Sequence, residues 1–369
     1  MRIGFDAKRV FYNTSGLGNY SRDTVRLLAE HYPANDYLLY TPRIKNSLNV
    51  PLPGNVQIAT PVGGYKYIKN YWRVGPMASR LDKDKIDVFH GLSNELPFGI
   101  SSGKVASVVS IHDLIFLRYP RFYNRIDRYI YNTKFRNACQ QANMVIAISK
   151  QTKQDIEHFY KIPERKIQVV YQGCSEIFYH QVSQEERHKI ARLYQLPGKF
   201  LLSVGTIEKR KNFLSVIHAL KEGNIDIPYV IIGRKTNYLQ ELQAHVKKYD
   251  LRNVYFIHDV EFQHLPAIYQ MSELFLYPSL FEGFGIPILE ALYSAVPVVT
   301  STDGCFTETG GDAAAYVDPG NPAEIAEVIK NVLQDNETRS NMIARGKAHA
   351  MNFRQDKIAS QLMNLYKRV

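Results

Sequence analysis

The stretch that decides the fold reads SELFLYPSLFEGFGIPILEALYSAVPVVTS, from residue 272 to residue 301. Its apolar run Leu274–Tyr277 predicts a short buried strand, and residues 296–300 predict the next strand. A glycine-containing turn and a helix lie between the two runs. Pro287 fits the first turn of that helix because no hydrogen bond there needs its missing N–H. A strand–turn–helix–strand unit of this kind can bind a phosphate or a sugar at the start of the helix.

Two carboxylates lie in this stretch. Glu282 stands in the turn beside Gly283 and Gly285, and Glu290 follows eight positions later on the predicted helix. Both side chains can face one ligand, because the turn and the helix start at the same end of the strand. The residue types alone leave two interpretations open, an acid/base pair or two ligand-binding groups.

Short strand-like runs recur along the whole chain and alternate with helical stretches. This alternation predicts an α/β protein with parallel sheets covered by helices on both faces. The runs lie at residues 2–6, 37–40, 56–58, 88–90, 105–111, 144–148 and 167–170, and then at 200–204, 229–232, 254–257, 274–277, 296–300 and 314–317. The first run is expected at an edge of its sheet. The two series predict two doubly wound, Rossmann-like domains that face each other across a cleft.

The length of 369 residues also favours two domains over a single core. Residues 174–197 are irregular and polar, and they are the best candidate for a linker. We therefore expect an N-terminal domain over residues 1–180 and a C-terminal domain over residues 181–352. The amphipathic segment 353–369 predicts a last helix that packs back on the N-terminal domain.

The composition bounds the possible partners and compartment. The net charge is +11, and residues 1–180 carry 25 Lys and Arg against 14 Asp and Glu, so the whole excess lies in the first half. We expect an anionic partner for that half. Three scattered cysteines without metal-ligand spacing argue against a zinc site and a disulfide framework. Metal dependence is not indicated, because the sequence has no metal-ligand cluster and no Asp-x-Asp pair in a suitable loop. No segment is typical of a signal peptide or a membrane span, which predicts a cytoplasmic protein.

Polar residues follow several strands at the sheet edge where ligands bind. Gly16 and Gly18 precede a predicted helix, but with Ser21 they form an incomplete dinucleotide fingerprint, so NAD binding is disfavoured. Either a close approach of the backbone to a phosphate or sugar, or a plain tight turn, explains these glycines. His90 and His112 stand at the ends of strands, and a catalytic or a structural role is open for each.

A basic turn follows the first strand of the second series. It contains Lys209, Arg210 and Lys211 just before a helix, so that positive charge lies beside helix N–H donors. This arrangement fits a diphosphate, and a solvated basic turn is the alternative. Phosphoryl transfer from ATP is disfavoured because no GxxxxGK[ST] motif is present. A diphosphate at this turn and a ribose diol at Glu290 would together fit a sugar nucleotide.

These segments together resemble the retaining glycosyltransferases of family 4, which have the GT-B fold. The motif that carries the resemblance is E-x7-E, written here as Glu282-Gly-Phe-Gly-Ile-Pro-Ile-Leu-Glu290. The other matching segments are VGTIEKRKN (204–212), SIHDLIF (110–116), DVFHG (87–91) and GGDAAAYVDPGNP (310–322). The resemblance covers the whole chain. It implies that the N-terminal domain binds the acceptor and that the C-terminal domain binds the nucleotide-sugar donor.

The resemblance also implies a role for each matching position. Arg210 and Lys211 would bind the diphosphate, and Glu290 would bind the donor ribose. Glu282 and His112 would lie near the transferred sugar, with His112 close to the attacking hydroxyl. The catalytic set implied is His112, Glu282, Lys211 and Arg210. The further donor-binding positions implied are Gly16, Gly18, Gly283, Phe284, Gly285 and Ile286 for the sugar and phosphates, and Arg234 and Val260 for the base. No cofactor and no metal ion is implied.

Three positions depart from the family pattern. Thr206 stands where many members carry an arginine that meets the phosphates, so more of the phosphate binding would fall on the basic turn. Thr206 itself is still expected in the donor site. Cys305 opens a segment commonly written S-x-x-P-E, which here keeps its acid but lacks the proline. Arg354 replaces a frequent tryptophan. None of the three changes the E-x7-E motif.

Two stretches of the N-terminal half, 65–73 and 118–129, combine cations with aromatic residues. They predict contact with an anionic membrane surface, with sugars or with a lipid-linked diphosphate, and a solvated face with core aromatics is the alternative. Nucleic acid is disfavoured because no recognition motif accompanies the charge. We expect a cytoplasmic enzyme, peripheral at the inner membrane face, that glycosylates a glycan or lipid-linked acceptor in cell-surface polysaccharide biosynthesis.

The segments VGTIEKRKN and SIHDLIF are most similar to mannosyltransferases, which favours GDP-mannose over UDP-sugars as the donor. The alternatives are a sugar-nucleotide epimerase or a phosphorylase of the same fold, and a non-catalytic nucleotide-sugar binding protein. If both motif glutamates bind the donor, retention would proceed by front-face attack rather than by double displacement. The leaving diphosphate would then take the proton of the acceptor hydroxyl.

Overall fold

The structure is a computed structural model that describes residues 1–13, 16–44, 52–100 and 104–369. The chain divides into two compact units, Met1–Gln172 with Gln355–Val369, and Gly173–Arg354. Each unit contains one parallel sheet with helices between its strands. Every strand run expected from the sequence is present, and the predicted fold class, GT-B with two Rossmann-like α/β domains, is confirmed.

The sheet of the first unit has seven parallel strands in the order β3-β2-β1-β4-β5-β6-β7. Their bounds are β1 Arg2–Asp6, β2 Asp36–Tyr40, β3 Val56–Ala59, β4 Val88–Gly91, β5 Ala106–Ile111, β6 Met144–Ala147 and β7 Ile167–Val169. β1 pairs with β2 on one side and with β4 on the other, so the expectation of an edge strand was wrong. In a doubly wound sheet the chain reverses its direction of travel after the third strand, and the first strand becomes interior.

Eight α-helices of the described residues belong to the first unit. Their bounds are α1 Lys8–Tyr12, α2 Gly16–His31, α3 Lys69–Val74, α4 Met77–Lys83, α5 Ile115–Arg118, α6 Arg125–Gln141, α7 Lys150–Tyr160 and, at the end of the chain, α16 Gln355–Tyr366. A 3-10 turn at Gly63–Lys66 precedes α3. α16 packs against α2. Its side chains Ile358, Leu362 and Tyr366 join one apolar cluster with Ile3 and Phe5 of β1.

The sheet of the second unit has six parallel strands in the order β10-β9-β8-β11-β12-β13. Their bounds are β8 Leu201–Val204, β9 Tyr229–Ile232, β10 Val254–Ile257, β11 Leu274–Tyr277, β12 Val298–Ser301 and β13 Ala314–Val317. The strand order reverses between β8 and β11, which are neighbours in the sheet. Loops that leave the carboxyl ends of such a strand pair diverge and open a crevice, which is where ligands bind in sheets of this type.

The helices of the second unit are α8 Gln184–Leu193, α9 Phe213–Glu222, α10 Tyr238–Lys248, α11 Leu265–Met271, α12 Ile286–Tyr293, α13 Cys305–Gly310, α14 Pro322–Gln334 and α15 Asn336–Ala350. The strongest packing partner of α9 is α14, and together they cover one face of the sheet. In the part of the chain that the structure describes, no helix has the length and apolarity to cross a bilayer.

The segment read as a linker, 174–197, is well anchored in the second unit. It contains α8, whose first turn is capped by the side chain of Ser183. The ring of Phe178 is fully buried and lies 5.7 Å from the ring of Tyr269, and the ring of Tyr179 lies 4.2 Å from that of Tyr293. These aromatic contacts place the crossing between the units at residues 172 and 173, whereas the sequence analysis set the boundary at residue 180.

Candidate functional site

In the second unit the candidate residues gather where β8 and β11 end. Arg210 and Lys211 lie in a single 3-10 turn after β8, and Glu282 lies in the loop after β11. The two loops are tied by their backbones, because the N–H of Leu280 donates to the carbonyl of Arg210 at 2.8 Å. The strand order therefore brings together two segments that lie about seventy positions apart in the sequence.

Glu282 is held by both cations. Nζ of Lys211 lies 2.6 Å from one carboxylate oxygen, and Nη1 of Arg210 lies 2.6 Å from the other. Lys211 also donates to the hydroxyl of Tyr277 at 2.5 Å, and Arg210 donates to the carbonyl of Phe281 at 2.6 Å. Since Lys211 and Glu282 are buried, little water screens this cluster. Arg210 also pairs with the carboxylate of Glu208 at 2.5 Å, so the two cations face two carboxylates.

The ion pairs decide the protonation of Glu282. Burial on its own would raise the pKa of the carboxyl group, but the charges and hydrogen bonds of Arg210 and Lys211 lower that pKa to about 2. Glu282 is therefore ionised at neutral pH and cannot donate a proton there. A carboxylate whose two oxygens are both engaged by cations is also a weak nucleophile, which argues against a covalent intermediate on Glu282.

Glu290 differs from Glu282 in both partner and protonation. It projects from α12 and is buried, and the hydroxyl of Tyr269 donates to its Oε2 at 2.8 Å. Burial raises the pKa of Glu290 to about 7, although this hydrogen bond and the charge of Lys211 oppose the rise. Within the described residues its Oε1 accepts no hydrogen bond, so that oxygen can accept one from a ligand.

The loop between the two glutamates ends in a left-handed residue. Gly285 has φ +104° and forms the N-cap of α12, a conformation that glycine adopts without a steric penalty. Pro287 lies in the first turn of α12, as expected. Gly283 and Ile286 are half-buried and Phe284 is buried against Phe353, with ring centroids 5.6 Å apart. All four predicted loop positions are therefore part of one turn at the edge of the sheet.

The other predicted donor positions follow the neighbouring strands at the same edge. Thr206 is half-buried after β8, Arg234 is exposed after β9, and Val260 is half-buried after β10. The N–H of Ile207 donates to the carbonyl of Arg234 at 3.1 Å, which links the first two loops. The described contacts do not bring the side chains of Arg234 and Val260 to the charged cluster.

In the first unit, the two predicted glycines differ in what surrounds them. A Cβ on Gly18 would lie 1.8 Å from the carbonyl oxygen of Asn13, so no larger residue fits at this position of α2. A Cβ on Gly16, the first residue of α2, would meet no described atom within 4 Å. Packing therefore accounts for Gly18, whereas the described residues give no steric reason for Gly16.

His112 has both ring nitrogens occupied. Nε2 donates to the carbonyl of Leu92 at 2.9 Å, so Nδ1 is the acceptor for the side-chain amide of Gln172 at 3.1 Å. The ring of Tyr20 stands edge-on to the imidazole at a centroid distance of 4.6 Å. Burial lowers the pKa of His112 to about 4, so the ring is neutral at physiological pH. In this arrangement His112 is a fixed hydrogen-bonding group rather than a free base.

His90 belongs to a buried chain of hydrogen bonds that reaches α16. Its Nδ1 lies 2.6 Å from the hydroxyl of Tyr366, and its Nε2 lies 2.8 Å from Oγ of Ser110. Oγ of Ser110 lies in turn 2.7 Å from the hydroxyl of Tyr20. Burial lowers the pKa of His90 to about 3, which keeps the ring uncharged. These contacts favour the structural interpretation of His90.

Sequence reasoning missed a second charged cluster, at the point where the strand order reverses between β1 and β4. Nε of Arg73 donates to Asp6 at 2.9 Å, and Nη1 donates to Glu95 at 2.8 Å. Lys134 of α6 lies 3.4 Å from the same Glu95 carboxylate. Both Arg73 and its neighbour Trp72 are buried, so the end of segment 65–73 belongs to the interior and not to a surface. Nothing in the sequence spacing indicated this pairing.

Residues 65–71 and several residues of segment 118–129 are exposed, whereas Tyr123 packs partly buried against the core. Tyr67 is 91% exposed and Tyr71 is 62% exposed, and on α6 Ile126 and Tyr129 are 73% and 74% exposed. Arg118, in contrast, pairs with the buried carboxylate of Asp155. Among the described residues, no group of three or more His, Cys, Asp and Glu side chains could hold a metal ion.

Two family profiles match the chain. The profile described as Glycosyltransferase Family 4 matches residues 14–176, and the profile described as Glycosyl transferases group 1 matches residues 184–349. Together they span nearly the whole chain and contain the cluster at Arg210, Lys211 and Glu282. The chain belongs to glycosyltransferase family 4. It is therefore a glycosyltransferase, and its fold and its recognised motifs agree with that assignment.

Similar proteins agree with the family. O-antigen chain mannosyltransferase B of Escherichia coli is 26% identical to this glycosyltransferase over 100% of both chains. O-antigen chain mannosyltransferase RfbU of Salmonella typhimurium is 28% identical over 61% of this chain and 60% of that protein.

Solved structures share the fold at lower identity. The sucrose-phosphate synthase of Thermosynechococcus elongatus has a TM-score of 0.80 and 16% identity, and the alignment covers 100% of this chain and 98% of the synthase. HepE of Anabaena, solved in complex with UDP and glucose, has a TM-score of 0.75 and 17% identity over 100% of both chains.

Proposed function

We propose that this glycosyltransferase transfers a hexose from a nucleotide-diphosphate sugar to a glycan or lipid-linked acceptor in cell-surface polysaccharide biosynthesis, with retention of configuration. GDP-mannose is the favoured donor. The observation that carries the proposal is the buried cluster in which Arg210 and Lys211 converge on Glu282 beside the loop of the E-x7-E motif. The O-antigen mannosyltransferases among its relatives, and the UDP complex of HepE, support the donor class and the pathway.

The cluster is suited to a diphosphate leaving group. Lys211 uses two of its three N–H donors on Tyr277 and Glu282, and the third can reach a phosphate oxygen. The two cations pair with Glu282 of the loop that leads into α12, and the backbone N–H groups at the start of that helix also favour an anion. As the glycosidic bond breaks, negative charge grows on the diphosphate, and fixed donors in a water-poor site stabilise that charge.

Glu290 is suited to the ribose. Its Oε1 can accept a hydrogen bond from a diol hydroxyl while Oε2 stays on the Tyr269 hydroxyl. A carboxylate in this role holds the nucleoside and leaves the chemistry to other groups. The exposed Arg234 and the turn at Val260 would then lie on the base side of the donor.

The route that we propose for retention is chosen by what the buried groups can and cannot do. Glu282 is doubly ion-paired and Glu290 is assigned to the ribose, so neither is a suitable nucleophile for double displacement. The acceptor hydroxyl would attack the anomeric carbon on the face from which the diphosphate leaves. The bond from that carbon to the phosphate oxygen breaks, the bond to the acceptor oxygen forms, and the hydroxyl proton passes to the diphosphate. His112, neutral and doubly hydrogen-bonded, would orient the sugar or the acceptor rather than take this proton.

The donor can be tested without knowing the acceptor. Thermal unfolding would be followed with GDP-mannose, GDP, UDP-glucose and UDP, because a ligand that binds only the folded chain raises its Tm. We expect GDP-mannose and GDP to raise the Tm more than the uridine compounds, with or without EDTA. If only the uridine compounds raised the Tm, the donor would be a UDP-sugar and not GDP-mannose. If none of the four raised the Tm, the proposed function would be contradicted.

The stereochemistry and the reaction class need a second measurement. GDP-mannose would be incubated with the chain and a lipid-linked or soluble glycan, and the anomeric configuration of the product read by NMR. We expect the α-configuration of the donor to be retained and the product to form only when the acceptor is present. A new sugar nucleotide without acceptor would indicate the epimerase alternative, and consumption of inorganic phosphate would indicate the phosphorylase.

We further propose that the acceptor is presented at an anionic membrane surface. The exposed Tyr67, Tyr71, Ile126 and Tyr129 provide apolar and aromatic contacts. Cations accompany both sets, and residues 61–73 contain no acidic side chain. Aromatic rings with neighbouring lysine and arginine are typical of proteins that lie in the interface of anionic lipids.

The membrane contact is tested by sedimentation with vesicles of phosphatidylglycerol and phosphatidylcholine at low salt. We expect binding to the anionic mixture and little binding to phosphatidylcholine alone. A Tyr67→Ser, Ile126→Ser double variant should bind more weakly, whereas a Tyr255→Ser variant, which changes an exposed tyrosine of the other unit, should bind as the wild type does. Equal binding by all three proteins would contradict the assigned surface.

A further inference from the structure

Two buried side chains of α13 hydrogen-bond to the backbone of the E-x7-E loop. Oγ1 of Thr309 donates to the carbonyl of Phe284 at 2.6 Å, and Sγ of Cys305 donates to the carbonyl of Glu282 at 3.3 Å. Cys305 and Thr309 are four residues apart, so they lie on the same face of the helix. Both are almost completely shielded from solvent. Neither residue was among the candidates from the sequence.

Both side chains are in the right protonation state and direction to donate. Burial raises the pKa of Cys305 well above its usual value, so the sulfur keeps the proton that it donates. The hydroxyl of Thr309 has a single proton, and the carbonyl oxygen of Phe284 at 2.6 Å is closer to it than the carbonyl oxygen of Cys305 at 3.0 Å. The shorter contact identifies Phe284 as the acceptor.

These two bonds fix the orientation of two peptide planes. A trans peptide is planar, and its N–H points opposite to its C=O. Because the carbonyls of Glu282 and Phe284 both point towards α13, the N–H groups of the next residues, Gly283 and Gly285, both point away from α13. The N–H of Gly285 therefore points to the side of the loop opposite α13, in the same loop whose Glu282 carboxylate is held by Arg210 and Lys211.

We propose that Cys305 and Thr309 are positioning residues of the donor site. The Thr309 hydrogen bond sets the direction in which the N–H group of Gly285 meets the oxygens of the transferred sugar and its diphosphate. The Cys305 hydrogen bond holds the backbone of Glu282. Glu282 is thereby fixed at two points, at its carbonyl by Cys305 and at its carboxylate by the two cations. This inference rests on the proposed function, because it assigns the loop to a nucleotide-sugar donor.

The test compares two threonines that make the same kind of hydrogen bond. Thr309→Val keeps the shape of the side chain and removes its donor, and Thr309→Ser restores the donor. The matched control is Thr300→Val, since Thr300 is equally buried and donates to the carbonyl of Tyr277 at 2.8 Å, outside the loop of residues 282–285. A merely structural role predicts the same result for the two valine variants.

The dissociation constant of GDP-mannose would be measured by calorimetry, together with kcat, KM and Tm. We expect Thr309→Val to weaken GDP-mannose binding about tenfold, as one misdirected donor would, and Thr309→Ser and Thr300→Val to stay within about twofold of the wild type. Both valine variants should lose a similar amount of Tm. Unchanged GDP-mannose binding by Thr309→Val would overturn the inference.

The Cys305 pair gives an independent arm if a valine variant does not fold. Cys305→Ser keeps a donor and should bind GDP-mannose as the wild type does, whereas Cys305→Ala should bind it about threefold more weakly, since S–H is a weak donor. Equal affinities of the two variants would overturn the part assigned to Cys305. A wild type that binds neither GDP-mannose nor UDP-glucose would overturn the proposed function itself, and with it this inference.

Discussion

The two units contain similar parallel sheets, and each has a buried polar group at the carboxyl edge, but the chemistry of the two groups differs. In the second unit, Glu282 is ionised and held between two cations, with its pKa lowered to about 2. In the first unit, burial lowers the pKa of His90 to about 3 and of His112 to about 4, and both rings are neutral. The two histidines of the first unit are held by uncharged hydrogen bonds, although that edge also contains the ion pairs of Arg73 with Asp6 and Glu95.

This difference matches the needs of the two substrates of a glycosyl transfer. A departing diphosphate is an anion whose charge grows during the reaction, so fixed cations lower the barrier. An acceptor hydroxyl is neutral, and fixed neutral donors and acceptors can orient it without a cost in charge. Substitutions and changes of pH should therefore affect the two units differently.

The largest effect is expected at Lys211. Lys211→Ala removes a donor and a positive charge from the group that we propose stabilises the leaving diphosphate, and it leaves the Glu282 carboxylate with one cation. We expect kcat to fall about 100- to 1000-fold, the range found when one fixed donor to a developing negative charge is removed. Steady-state kinetics with GDP-mannose would measure it.

The control for this prediction is the neighbouring Lys209→Ala. Lys209 is exposed and pairs with Glu241 on the surface, so its loss should change kcat by less than about threefold. If both alanine variants lost the same activity, the charged cluster would not be the source of catalysis, and the contrast between the two units would fail.

Acidification should destabilise the first unit before the second. The folded pKa values of His90 and His112 lie below the usual value near 6.5, so the unfolded chain binds more protons below pH 6.5 and folding is opposed. At pH 5 the loss is on the order of 2 kcal/mol for each histidine. In the second unit the lowered pKa of Glu282 removes stability only below pH 4.5, and the raised pKa of Glu290 adds stability between pH 7 and 4.5.

Hydrogen exchange, corrected for intrinsic rates, would measure this difference. Between pH 7 and pH 5 we expect the amides of β4 and β5 to lose protection while those of β8 and β11 keep theirs. Earlier loss in β8 and β11 would contradict the assignment of charge states to the two units.

Donor affinity should depend on the protonation of Glu290. Its folded pKa is raised to about 7, so the carboxylate that we propose accepts hydrogen bonds from the ribose is present above pH 7 and is lost as the pH falls below it. We expect the affinity for GDP-mannose to fall up to about tenfold from pH 8 to pH 6, measured by calorimetry. The phosphates of a sugar nucleotide are diesters and do not titrate in this range, so the change reports on the protein. Glu290→Gln should bind GDP-mannose weakly at both pH values. If the affinity of this variant changed with pH as much as that of the wild type, Glu290 would not be the source of the pH dependence.

The sequence was sufficient for the strands and for the convergence of the motif residues at one edge of the second sheet. Apolar runs bounded by turn residues mark buried parallel strands, and Arg210, Lys211 and Glu282 could be placed together because residues at the carboxyl ends of neighbouring strands converge. The motif could not reveal that the two glutamates have opposite pKa shifts. That difference depends on which cations and hydroxyls lie against each carboxylate, and Tyr269 and Tyr277 come from separate elements.

Contacts between distant segments explain what sequence analysis missed. Arg73 appeared to belong to a surface patch. Its partner Asp6 is the last residue of β1, and its partner Glu95 follows β4. Only the order of the strands in the sheet brings the three side chains together. Gln172 carries no motif, yet it donates to Nδ1 of His112 and so helps to fix the tautomer of that ring. Spacing along the chain contains no signal for either pairing.

The smallest expected effect is that of pH on kcat. It depends on whether His112 can act as a base. With Nε2 on the carbonyl of Leu92 and Nδ1 bound by Gln172, the ring has no free lone pair, and its pKa of about 4 keeps it neutral from pH 6 to pH 9. We expect kcat, measured at saturating GDP-mannose so that Glu290 does not contribute, to change less than about twofold over this range. A fall in kcat centred near pH 6.5 that disappears in His112→Gln would show a histidine acting as a base, and the first unit would then supply proton transfer as well as orientation.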